Sequence, residues 1–146
     1  MANRNFNRVQ CLDKEIKIIH GQISIGASGA ATLSASKSVG VKSVDGGSGS
    51  TLGAGIYKVT LGTPGGDTDT YNHFFGSYFD IQKDTHLGGT TGGMAFQLKG
   101  APTVSTDGVI DFYTLDKDGS AADPGSGETI HFVFFLKNSA QPGVGV

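Results

Sequence analysis

Large apolar residues recur along this chain at every second position, in short runs that end in clusters of Gly, Ser, Asp and Pro. A period of two is the signature of a strand with one buried side, whereas a helical stripe repeats every three to four positions. GIYKVTL (55–61) alternates most cleanly, setting Ile56, Lys58 and Thr60 on one side and Tyr57, Val59 and Leu61 on the other. The same reading predicts strands over EIKIIHGQISI (15–25), ATLSASKSVGVKSV (31–44), HFFGSYFDIQ (73–82), MAFQLK (94–99), GVIDFYTL (108–115) and ETIHFVFFLK (128–137), with GASGA and DGGSGS as connections. Strands at this spacing, with no helical stretch between them, predict an all-β fold: an antiparallel sandwich or barrel of about seven strands.

The last strand carries the densest apolar run. Its alternation sends Ile130, Phe132, Phe134 and Leu136 one way and Thr129, His131, Val133, Phe135 and Lys137 the other. The first set is wholly apolar and belongs to the core. The second is polar at its ends and apolar in its middle, which suits a central strand covered on both faces or one whose outer face meets another chain. Val133 and Phe135 are therefore the candidate subunit interface, and an aromatic shelf for a ligand is the weaker reading of the same residues.

The chain divides into an arm at 1–14, a β domain at 15–138 and a tail at 139–146. Phe6, Val9, Leu12, Ile16 and Ile19 are spaced as a helical stripe would be. The β-rich IKIIHGQISI and the polar, turn-like ANRNFN argue instead for an extended arm running into a strand, with a short helix over 8–14 as the alternative. The tail, rich in small residues with a Pro-Gly break, is expected to be mobile or to lie along another subunit.

Composition sharpens this picture in two respects. Only 16% of the residues are charged and 24 of 146 are Gly, so the surface must be covered by small polar residues or by another protein chain. The net charge of −2 gives no electrostatic case for nucleic acid. Cys11 is alone, so no intramolecular disulfide forms within this sequence. The first ten residues lack the apolar stretch of a secretory signal and no run reaches the ~18 apolar residues of a membrane helix, so a soluble protein made in a cytoplasm is expected.

Candidate chemistry is sparse. His20, His73, His86 and His131 form no HExxH pair and have no cysteine pair to join, so they read as ordinary strand and loop histidines. LDKDGSAADPGSGE (115–128) gathers Asp116, Asp118, Asp123 and Glu128, but its glycine follows Asp118 directly and its flanks are strand-like. Turn chemistry is the expectation there, as at Asp67 and Asp69, with a weak calcium site as the alternative. LGTPGG and LGGTTGG lack both the Lys-Ser/Thr and the helix start that a phosphate loop needs. GGSGS (46–50) has no helix after it to make a nucleophile elbow. No catalytic residue, cofactor or metal is therefore assigned, and the protein is not expected to be an enzyme.

Three stretches carry a resemblance. MANRNFNRVQCLDKEIKIIHGQISIGASGA (1–30) resembles the opening of small structural proteins of tailed bacteriophages, in which a similar arm and a Lys-Glu-Ile/Val-Lys segment precede a strand and a Gly-Ser-Gly turn. IHFVFFLKNSA (130–140) is similar to their closing strand, and GIYKVTLG (55–62) to a strand common to the group; residues 63–128 diverge from it. The resemblance implies a virion protein made in the host cytoplasm and carried on the phage head exterior. It further implies a capsid decoration or cement protein, a homotrimer whose partner is the major capsid protein, with no nucleic acid or membrane partner. Arg4 and Arg8 would then donate hydrogen bonds to carboxylates on the shell and Phe6 would anchor the arm. The alternative is a fibre-tip or lectin-like module binding a host glycan through Tyr71, His73, Tyr78 and Asp80. A polysaccharide hydrolase, which needs a carboxylate pair roughly 5–10 Å apart in a cleft, is a third reading.

Overall fold

Alternation of side chains lets a strand bury one side while the other meets water, and two sheets that share a core satisfy that demand for every strand at once. The computed structural model of the protein describes residues 16–83 and 93–137. Arg4, Phe6, Arg8 and Cys11, the helix alternative over 8–14, His86 and the tail at 139–146 lie outside the described residues.

Eight strands follow in order: β1 (Ile16–Ile25), β2 (Ala31–Leu33), β3 (Val41–Gly47), β4 (Gly53–Leu61), β5 (His73–Gln82), β6 (Ala95–Leu98), β7 (Val109–Leu115) and β8 (Thr129–Lys137). They form two antiparallel four-stranded sheets, β2-β1-β8-β5 and β3-β4-β7-β6, which pack as a sandwich. The all-β expectation holds, and the fold is a sandwich rather than a barrel. The strand expected over 31–44 divides, however. After Leu33 the chain makes a 3-10 turn at Ala35–Lys37, passes Gly40 at φ 74°, and enters β3 in the opposite sheet. A left-handed residue, which glycine adopts without steric cost, is what turns the chain from one sheet to the other.

The core lies between the sheets. Ile19, Ile23 and Ile25 of β1 and Ile130, Phe132, Phe134 and Leu136 of β8 face Tyr57, Val59 and Leu61 of β4 and Ile110 and Phe112 of β7, all buried. At the β5–β6 side an aromatic group closes the stack, with the Phe79 ring centroid 5.3 Å from that of Phe96 and 4.6 Å from that of Phe112. Gly21 is required where it sits opposite Phe132: a Cβ there would stand 2.6 Å from Phe132 Cζ, so the ring packs over bare backbone. Thr114, a buried polar residue of β7, donates its hydroxyl to Ala122 O at 2.7 Å and so is satisfied.

Candidate functional site

The outer face of the β2-β1-β8-β5 sheet is the surface that the sandwich leaves unexplained. Register fixes it row by row, because residues paired across antiparallel strands share a side. Ile16, Lys137 and His73 form the first row, at the end where β1 begins and β8 finishes. Ile18, Phe135 and Gly76 form the second; Val39, His20, Val133 and Tyr78 the third; Gln22, His131 and Asp80 the fourth. Phe75 is the bulged residue between the pairs Phe74–Leu136 and Gly76–Phe135, and it stands exposed beside the second row.

The large exposed apolar side chains among the described residues are Ile16, Ile18, Val39, Phe75, Tyr78 and Phe135, and all six lie on this face or at its margin. Ile18, Val39, Phe75 and Tyr78 are each 57–59% exposed. Scattered exposed apolar residues are ordinary, but a contiguous group on one face marks a contact surface. Val133 is half-buried and Phe135 exposed at its centre, so the two candidate interface residues sit within this group.

The fourth row is polar and ordered. Gln22 Nε2 donates to His131 Nδ1 at 3.1 Å, and His131 Nε2 lies 3.4 Å from Gln82 Oε1. An amide nitrogen can only donate, so in this contact Nδ1 is the acceptor, and Nε2 faces the Gln82 carbonyl oxygen. Asp80, the cross-strand neighbour of His131, is exposed and accepts the backbone N–H of Ile81 at 2.8 Å through Oδ1. Of the four residues expected to form a glycan site, His73, Tyr78 and Asp80 share this face. Tyr71 does not: it packs against the core, where burial and then the Asp69 charge push its hydroxyl pKa up.

A second cluster lies at the end of the sandwich away from Ile16 and Lys137, and sequence reasoning read it only as a turn. Asp123 Oδ2 accepts from Ser48 N–H at 2.9 Å and from the Ser48 hydroxyl; Oδ1 accepts from Gly55 N–H at 2.6 Å. The buried Tyr57 hydroxyl lies 3.0 Å from Gly29 O and 3.3 Å from Asp123 Oδ1. Burial alone raises the Asp123 pKa, but the hydrogen bonds from Gly55, Ser48 and Tyr57 together outweigh it and hold the carboxyl below the usual range. Burial, then the Asp123 charge, push the Tyr57 hydroxyl up, so it stays a donor. A Cβ at Gly29 would overlap the Asp123 carboxyl, so the 27–29 turn, the β3–β4 hairpin and the 121–125 loop are pinned at one point. With every Asp123 oxygen occupied by donors of its own chain, this is a structural tie. The Asp-Pro-Gly sequence was its one signal.

The other acidic residues of 115–128 also have separate tasks. Asp116 Oδ1 accepts Asp118 N–H and Ser120 N–H, both at 2.9 Å, and Asp118 pairs with Lys117 at 2.7 Å. Glu128 lies 3.6 Å from Lys83 and accepts Gly125 N–H at 2.9 Å. Among the described residues, no three His, Cys, Asp or Glu side chains gather as a metal cluster.

The site thus defines an antiparallel β-sandwich with one polar outer face and one that is apolar at its centre. Comparison with protein-family models, with curated proteins and with solved structures finds no match to this chain.

Proposed function

We propose that this chain is a virion structural protein, a decoration or cement protein that binds the outside of a phage head and bridges neighbouring major capsid subunits. The observation that supports this reading is the apolar outer face of the β2-β1-β8-β5 sheet, which lies where both ends of the β domain emerge: Ile16 pairs with Lys137 in its first row. A domain that works alone in water gains nothing from such a face, whereas one that works in an assembly buries it.

The proposed action is mechanical. Residues 1–14 lie across a seam between capsid subunits, Arg4 and Arg8 donate to carboxylates on the shell, and Phe6 fills an apolar hollow. The face around Val133 and Phe135 joins copies of the chain, so that one assembly presents several arms. Each arm binds weakly, but once one is seated the others act at a high effective concentration and the assembly holds.

The test is co-sedimentation with purified heads that lack the protein, in a salt series, using the full chain and a version lacking residues 1–14. Saturable binding that falls without the arm is the expected result. Binding that survives the truncation moves the contact onto the β domain, and an absence of binding to heads overturns the proposal and turns attention to glycans.

A further inference from the structure

We propose that two copies of this chain pair face to face, in place of the homotrimer that the resemblance implies, through the outer side of the β2-β1-β8-β5 sheet, about a two-fold axis that lies between the sheets and crosses the strands between the Phe135 and Val133 rows. Three features of the face choose this arrangement.

The first is charge. Lys137 and His73 stand in the first row and Asp80 in the fourth. An axis running along the strands would bring Lys137 against Lys137 of the second copy. An axis across the strands reverses the rows, so that Lys137 of each copy stands over His131 of the other and His73 over Asp80. Each Lys137 then lies one strand, about 4.8 Å, to the side of an Asp80 of the second copy, within reach of a long side chain.

The second is shape. The same operation sets the second row of one copy over the third row of the other, so Phe135 meets Val133, Ile18 meets His20, and Tyr78 meets Gly76. A Cβ at Gly76 would touch nothing within 4 Å, so the space over that position is open. The 59% exposed Tyr78 ring of the second copy is the knob that fills it. Self-complementarity of this kind, in which a residue of one copy meets its counterpart's neighbour twice over, is what a two-fold interface requires.

The third is polarity. The two central rows are apolar apart from His20, and the flanking rows are polar apart from Ile16, which approaches the core-and-rim pattern of a protein interface. With strands ~4.8 Å apart and ~3.3 Å per residue, the paired region spans about 15 Å by 20 Å, roughly 600 Å² over the two copies and below the ~1,200 Å² of standard interfaces. A weak, transient dimer is expected.

The consequence for function, which rests on the decoration reading, is that the two Ile16 positions lie at opposite ends of the interface, about 20 Å apart along the strands. The two arms leave in opposite directions, as a clamp across a seam needs.

Sedimentation equilibrium of the full chain, with no heads present, tests the pairing separately from the decoration reading. A monomer–dimer equilibrium is expected. Gly76→Val is the decisive variant. Its side chain has open space in the monomer and suits a strand, so thermal unfolding of dilute protein stays unchanged while dimer affinity falls more than tenfold. Lys137→Glu and Asp80→Lys each weaken the dimer several-fold, and combining them restores it. A monomer at every concentration, a trimer, or a Gly76→Val protein that pairs like the parent would overturn the proposal. A dimer that fails to bind heads would leave the pairing intact and remove the decoration reading instead.

Discussion

On the outside of the β3-β4-β7-β6 sheet, Asp45, Lys58 and Asp111 lie side by side across three strands, and Lys99 sits 5.9 Å over the Tyr113 ring. The matching middle of the other sheet carries Val39, His20, Val133 and Tyr78. The inner faces of the two sheets are alike, so the core does not explain the contrast. Ile56 and Val109 on the charged side are half-buried by their neighbours, while Ile18 and Phe75 on the other stand open. One outer face carries charge across its middle, and the other leaves large apolar side chains open.

The widest test of that contrast uses adjacent residues of β8. Phe134 is buried between the sheets and Phe135 points outward. Phe134→Ala should cost about 3–5 kcal/mol in urea unfolding, because it opens a cavity against Phe74, Phe79 and Phe132. Phe135→Ala should cost less than about 1 kcal/mol when measured on monomeric protein. Equal losses would mean that the outer face is already covered within the single chain, and the contrast between the sheets would collapse.

A smaller effect is expected at the Asp123 tie, which holds the ends of both sheets together irrespective of what their outer faces meet. Asp123→Ala leaves the buried Tyr57 hydroxyl with Gly29 O alone and deprives Ser48 and Gly55 of their acceptor, for a loss of about 2 kcal/mol after allowance for its partial exposure. The folded-state pKa lies below the unfolded one, so this stabilisation is complete above the ordinary aspartate range and fades as pH falls through it toward the depressed value. Urea midpoints measured from pH 6 down to pH 2 should therefore drop less steeply at the acid end for Asp123→Ala than for the parent. Parallel acid limbs would show that Asp123 is not the tie.

Part of this was legible from the alternation alone. Tyr57, Val59 and Leu61 point inward and Ile56, Lys58 and Thr60 outward, as the period of two requires. The two sides of β8 were equally plain. The pattern failed where it carries no information about partners. A period of two does not say when a chain changes sheet, so β2 and β3 read as one strand until Gly40 is seen in its left-handed conformation. In β5 the bulge at Phe75 shifts the phase: Phe74 faces in, Gly76 and Tyr78 face out, and Phe79 and Ile81 face in again. Strict alternation would have put Phe74 beside Tyr78 on one side. The Asp123 tie was hidden for a different reason, since its donors Ser48 and Gly55 lie 75 and 68 residues away along the chain.

The smallest expected effect lies on the charged sheet and sets the scale for the rest. Lys58 is the cross-strand neighbour of both Asp45 and Asp111, yet it forms no ion pair within 4.0 Å among the described residues. Asp45 is exposed, Lys58 half-buried, and Asp111 half-buried with Oδ1 shielded from water and unpartnered; opposite cross-strand charges at a sheet surface contribute about 0.2–1 kcal/mol. Lys58→Gln should therefore shift the urea midpoint slightly at low salt and hardly at all near 0.5 M salt, where the screening length falls to about 4 Å. The same charges would count for more where a second surface removes water from them, as proposed for Lys137 and Asp80 at the rim of the paired face. If Lys58→Gln cost as much as the Lys137→Glu change costs the dimer, water exclusion would not be what separates the two sheets. Charge density alone would then explain the contrast between the two outer faces.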